Sequence, residues 1–173
     1  MTQRKILWII PLLALAMVGA GCGKTTAEKT VENNIKKATN GQADVDLTNN
    51  SAKVNINGSS LVTGDRVSLP SDWPTDVYVA DGTIKTAVST KDVGWTVSLE
   101  STQSVSVIQA LYAEKLPTAG WIISANATVE KSVAIIANKN TRSLNIGISD
   151  VDGKTVVTIT VSLPTNTNTV LPQ

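Results

Sequence analysis

From about residue 43 onward, apolar and polar residues alternate at period two, the pattern of strands with one buried and one wet face. Trp95, Val97 and Leu99 fall on one side, and Thr96, Ser98 and Glu100 on the other. Three further inward rows are predicted: Trp121, Ile123, Ala125, Ala127 and Val129; then Leu144, Ile146 and Ile148; then Val157, Ile159, Val161 and Leu163. Residues 133–139 are apolar on both faces at their centre, which predicts a central strand under cover. Turn residues at Asp81-Gly82, Asp92-Val93-Gly94, 138–141 and Asp152-Gly153 separate these runs at hairpin distances, so successive strands are expected to be antiparallel neighbours.

One stretch changes period. Residues 103–116 set Val105, Ile108, Leu111, Tyr112 and Leu116 on a broad apolar arc, with Ser101 or Thr102 as N-cap and Pro117 with Gly120 as the stop. The predicted fold is α+β: an antiparallel sheet of about six strands, order ββαββββ, covered by one helix and spanning residues 71–163. A small β-hairpin or meander over 43–70 precedes it, with Pro70 and Pro74 marking the junction, and its relation to the main sheet stays open. Residues 164–173 lack periodicity and read as a disordered tail.

The N-terminus has a different logic. Arg4 and Lys5 precede a 13-residue apolar run, 6–18, that is interrupted by Pro11 and followed by Gly19, Ala20 and Gly21. The run is shorter than the roughly 17–25 residues of a permanent membrane helix, so residues 1–21 read as an export signal that is removed. Cys22, the single cysteine, follows directly. In Val18-Gly19-Ala20-Gly21-Cys22 the sequence resembles the bacterial lipoprotein family, with small residues before the Cys and Gly19 where Leu is usual. The resemblance implies lipidation of Cys22 (diacylglycerol and an N-acyl chain such as palmitate) and export to the cell membrane or outer membrane, with the domain outside the cytoplasm. Residues 22–42 are then the lipidated Cys and a polar tether, with a short helix at 27–38 that ends before Gly41.

From Leu69 onward the chain resembles uncharacterised small exported bacterial lipoprotein domains. The shared pattern reads LPSDWPTDVYVADG (69–82), then Val105, Tyr112 and Leu116, then Gly120-Trp121 and Gly153-Lys154-Thr155. This resemblance implies a sheet-and-helix scaffold and supplies no catalytic residues.

Composition removes several chemistries. There is no His and one Cys, so histidine triads, His-ligated zinc and an internal disulfide are excluded. The net charge of +1 gives no pull toward nucleic acid. GAGCGKTT (19–26) resembles a nucleotide-binding P-loop only at a glance, because the position that requires the first glycine is Val18. No Ser stands three residues before a Lys, and the carboxylate pairs Asp44/Asp46 and Asp150/Asp152 have the spacing of a strand face and a tight turn. The Asp150–Gly153 stretch also lacks the further ligands of a Ca²⁺ loop. No enzyme, cofactor, metal, nucleotide or nucleic-acid partner is therefore expected.

Three tryptophans remain. Trp95 and Trp121 are in phase with core residues, whereas Trp73, bracketed by prolines, is either a plug on the sheet edge or an exposed contact residue. The expected function is a membrane-anchored, non-catalytic domain that binds an envelope protein or supports an envelope assembly. The alternative is a glycan or small-molecule binding module that uses Trp73 and a sheet/helix pocket.

Overall fold

The computed structural model describes residues 25–48, 50–65 and 67–164. Its order is α1 (Thr26–Ala38), β1 (Ala43–Thr48), β2 (Ser51–Ile56), β3 (Ser59–Gly64), β4 (Thr83–Thr90), β5 (Gly94–Ser101), α2 (Val105–Thr118), β6 (Ile122–Val129), β7 (Ser132–Lys139), β8 (Arg142–Val151) and β9 (Lys154–Ser162). The strands form one nine-stranded antiparallel sheet ordered β1-β2-β3-β4-β5-β9-β8-β7-β6. After β5 the chain crosses a face of the sheet as α2, reaches the far edge at β6, and returns strand by strand until β9 closes beside β5.

This corrects the expectation of about six strands under a single helix. The 43–64 region continues the main sheet, because Leu61, Val62 and Thr63 of β3 pair with Val88, Ala87 and Thr86 of β4. Tight turns carry the meander: Asn57 and Gly58 both have positive φ, 50° and 79°, and so do Asp152 and Gly153. That is the twist a two-residue hairpin turn needs.

The cover is also divided. The face that carries Ala87, Val97, Leu99, Val157, Ile159, Leu144, Ile146, Val133 and Ile135 holds the core. Over β6, β7 and β8 it is covered by α2, whose Ile108, Tyr112 and Leu116 are fully buried. Toward β4 and β5 it is covered by a segment without regular structure, residues 67–82, which contributes Val67, Val77 and Ala80 to the core. Helix α1 lies on the opposite face, against β1, where Ala43 and Val45 are buried. Glu32 of this helix accepts the Leu47 N–H at 2.7 Å, so the stretch read as a tether is in contact with the domain from α1 onward.

Helix α1 begins with a capping box in which Thr25 and Glu28 satisfy each other's backbone N–H. Helix α2 is capped by Ser104 rather than Ser101 or Thr102, and it accommodates Pro117 in its last turn. In β6 the predicted inward row breaks: Ile123 pairs with Ala137, but Ala125 pairs with Ile136, so Ser124 is an extra, bulged residue. A bulge reverses the facing of all that follows. Ala125, Ala127 and Val129 therefore lie on the open face, with Val129 70% exposed. Ile136 is 40% exposed on the same face, so β7 is covered on one side only among the described residues.

Candidate functional site

The strap formed by residues 67–82 is the most chemically dense part of the described structure. Its own backbone bonds are local turns, Trp73 N–H to Pro70 O and Val77 N–H to Pro74 O. Contacts to the rest of the domain are made largely through side chains. Trp73 is half-buried, packs against both core clusters, and donates its indole N–H to Val77 O at 3.3 Å. It thus wedges between the two halves of the core under the strap. Beside it, Asp72 accepts the Ser89 hydroxyl at 2.9 Å. The buried Trp95 indole N–H faces Asp72 without meeting full hydrogen-bond geometry. Its polarity, with the Ser89 hydroxyl, still holds the Asp72 carboxyl below the usual aspartate range despite partial desolvation.

The middle of the strap is fastened by Asp76. Its carboxylate accepts both terminal nitrogens of Arg142, with Nη1 at 3.0 Å, and Lys139 Nζ at 2.7 Å. The three side chains are each about a quarter exposed, at 24%, 22% and 25%. The Arg142 fork, followed by Lys139, brings the Asp76 carboxyl down to about 2. Trp121 completes the clasp: its indole N–H donates to Asp76 O at 2.8 Å, and the Arg142 guanidinium lies 5.0 Å from its ring centroid. Lys139 also donates to Ala119 O at the end of α2. One acidic residue thereby ties the strap to β7, β8 and the helix C-terminus.

The last part of the strap meets α2. Tyr78 packs edge-on against Tyr112 with centroids 5.4 Å apart, and the Ala80 N–H donates to the Tyr112 hydroxyl at 3.3 Å. Burial pushes the Tyr112 phenol well above its ordinary value, so it stays neutral and available as an acceptor. Ser101 then donates to Asp81 O at 2.7 Å. Residues quoted from the sparse sequence pattern, Trp73, Tyr78, Tyr112, Leu116 and Trp121, thus converge in one layer between strap, helix and sheet. In this geometry the layer is filled: Ile108, Tyr112 and Leu116 are at 0% exposure and Trp121 at 2%.

The other candidates are dispersed. Cys22 lies outside the described residues. Asp44 and Asp46 are exposed on β1, and Asp150 accepts the Gly153 N–H at 3.1 Å, which is a turn role. Among the described residues no group of three His, Cys, Asp or Glu side chains is placed to hold a metal ion. No described helix is long and apolar enough to cross a membrane. Asp76, Lys139 and Arg142 carry no signal in the sequence, because Lys139 and Arg142 lie 63 and 66 residues from Asp76 along the chain and no local motif joins them.

Comparison with known proteins adds one finding. A family model described as START domain-like matches residues 83–167, just under half of the chain, from the start of β4 past the end of β9 with α2 inside it. No curated protein and no solved structure matches.

Proposed function

We propose that this protein is an exported binding domain, held at a membrane by lipid on Cys22, that takes an apolar small molecule between α2 and the sheet without transforming it. The START domain-like match carries this reading, because the matched stretch is the unit in which one helix is held against an antiparallel sheet. It favours a small ligand over an envelope protein as the partner. The chemistry of the layer supports an apolar molecule: it is built from Leu, Ile, Val, Trp and Tyr, with the neutral Tyr112 hydroxyl and the indole N–H of Trp121 as polar points. Trp73 stands at the edge of this layer, where the two core clusters meet.

Because the layer is filled, uptake requires the strap to lift. The strap is suited to that role, since its long-range attachments are side-chain contacts and no sheet ladder breaks when it moves. A dansyl-labelled fatty acid tests the reading: saturable binding with energy transfer from tryptophan supports it, and no binding contradicts it. Anchoring is tested separately by metabolic labelling with palmitate. Label in the wild type and none in Cys22→Ser is expected, whereas equal membrane retention of an unlabelled Cys22→Ser chain overturns the lipid anchor.

A further inference from the structure

The Asp76 clasp has a fixed half and a removable half. Lys139 ends β7 and Arg142 begins β8, and the two are partners across one hairpin. Each is also held without Asp76: Lys139 Nζ donates to Ala119 O at 2.7 Å, and the Arg142 guanidinium lies 5.0 Å from the Trp121 ring centroid. Asp76 belongs to the strap and goes where the strap goes. When the strap lifts, its carboxylate returns to water, while the guanidinium fork, the ammonium and the Trp121 indole N–H stay behind, aimed at the place it left. Two cations that are each about a quarter exposed then lack an anion, and their partial burial makes that state costly.

We propose that the ligand's own carboxylate takes this place, so that the molecule admitted under the strap is an apolar body with a single carboxylate head. The inference rests on the ligand-binding reading above and narrows it to one chemical class. The strap segment already has the form of such a molecule. Asp76 is followed by Val77, Tyr78, Val79 and Ala80; Val77 and Ala80 are each 4% exposed, and Tyr78 and Val79 pack on the same core cluster. From Asp76 onward the segment is thus an acidic head in the clasp and an unbroken apolar run in the layer, ending where the Ala80 N–H meets the Tyr112 hydroxyl. A fatty acid has the same order of head and body.

Charge and geometry select the head. Among the described residues Asp76 is the one carboxylate on Lys139 and Arg142, so one incoming carboxylate restores the balance of the closed clasp. Arg142 offers both terminal nitrogens, a fork that two carboxylate oxygens fill and a single hydroxyl does not. A neutral lipid lifts the strap and leaves two cations unpaired, whereas a carboxylate exchanges one ion pair for another. The partial exposure of the clasp keeps the head at the rim, and Trp121, at 2%, marks where the apolar body begins.

The test compares a dansyl-labelled fatty acid with its methyl ester on the full-length protein, at mildly alkaline pH where the acid is ionised. The two share body and fluorophore and differ in charge. The wild type is expected to bind the acid about tenfold or more tightly than the ester. Arg142→Met and Lys139→Gln are each expected to erase most of that preference. Loosening of the strap shifts acid and ester together, so the ratio of the two affinities isolates the charge. Asp76→Asn removes the competing carboxylate and keeps both cations, and is expected to strengthen acid binding several-fold. Near-UV circular dichroism of the tryptophans checks that the variants stay folded. Equal wild-type affinity for acid and ester, a preference that survives in both folded cation variants, or weaker acid binding by Asp76→Asn overturns the carboxylate head and leaves an apolar ligand standing. Binding of neither compound overturns the ligand reading and this inference with it.

Discussion

Replacing Asp76 by Asn keeps the size of the side chain and removes the charge that holds Arg142 and Lys139. The size of the effect follows from the acidity of this group. An ordinary aspartate titrates near 3.8, whereas Asp76 in the folded domain titrates at about 2. A difference somewhat under two units, at about 1.4 kcal/mol each, corresponds to about 2–3 kcal/mol of stability. The sign is that of a depressed carboxyl: the contribution is fully present above the unfolded value near 3.8 and is lost as pH falls through the folded value near 2. Asp76→Asn is therefore expected to cost about 2–3 kcal/mol at pH 7, a fall of roughly 5–10 °C in Tm for a domain of this size. Between pH 4 and 2 the wild type should lose stability faster than the variant, and the two should converge. Urea unfolding followed by tryptophan fluorescence reads both quantities, since Trp121 donates to Asp76 O. A variant within about 0.5 kcal/mol of the wild type at pH 7, or two curves that run parallel from pH 4 to 2, would refute the clasp as a source of stability.

Other predictions concern the same layer and the sheet beneath it. Tyr112→Phe leaves the buried Ala80 N–H without its acceptor and is expected to cost about 1–3 kcal/mol by urea unfolding, with faster exchange of that amide. Trp121→Ala empties a side chain that is 2% exposed, and should cost about 3–5 kcal/mol while releasing Arg142. Gly94→Ala puts a Cβ 2.0 Å from Val161 O at a φ of 143°, and is expected to prevent stable pairing of β5 with β9, seen as loss of soluble folded protein. Deletion of Ser124 removes the bulge but leaves Ile123 and Ala125 on opposite faces, so a folded protein destabilised by no more than about 1 kcal/mol is expected from thermal melts.

The legible parts of the sequence are those governed by local spacing. The rows Leu144, Ile146, Ile148 and Val157, Ile159, Val161 are buried because β8 and β9 run without a bulge, so period two in sequence is period two in space. The α2 arc is legible for the same reason, with Ile108, Tyr112 and Leu116 buried, although its cap moves to Ser104. In β6 one inserted residue reverses the phase, and an alternating row written through Ser124 assigns Ala125, Ala127 and Val129 to the wrong face. The number of strands is illegible for a different reason. Short polar pieces such as SAKVNI and SSLVTG bury little on their own, and their membership in the sheet is decided by pairing with β4 rather than by their own pattern. The strap is the least legible element, because 67–82 has no period at all, and its place over the core depends on contacts to residues up to 66 positions away.

The proposed function requires the strap to lift and admit an apolar ligand beneath it. Hydrogen exchange of the Ala80 amide, with and without a bound fatty acid, measures that opening most directly. Exchange by local opening, well below the free energy of global unfolding, and strong slowing in the presence of the fatty acid are predicted. Exchange that occurs only with global unfolding and is indifferent to the fatty acid would contradict it.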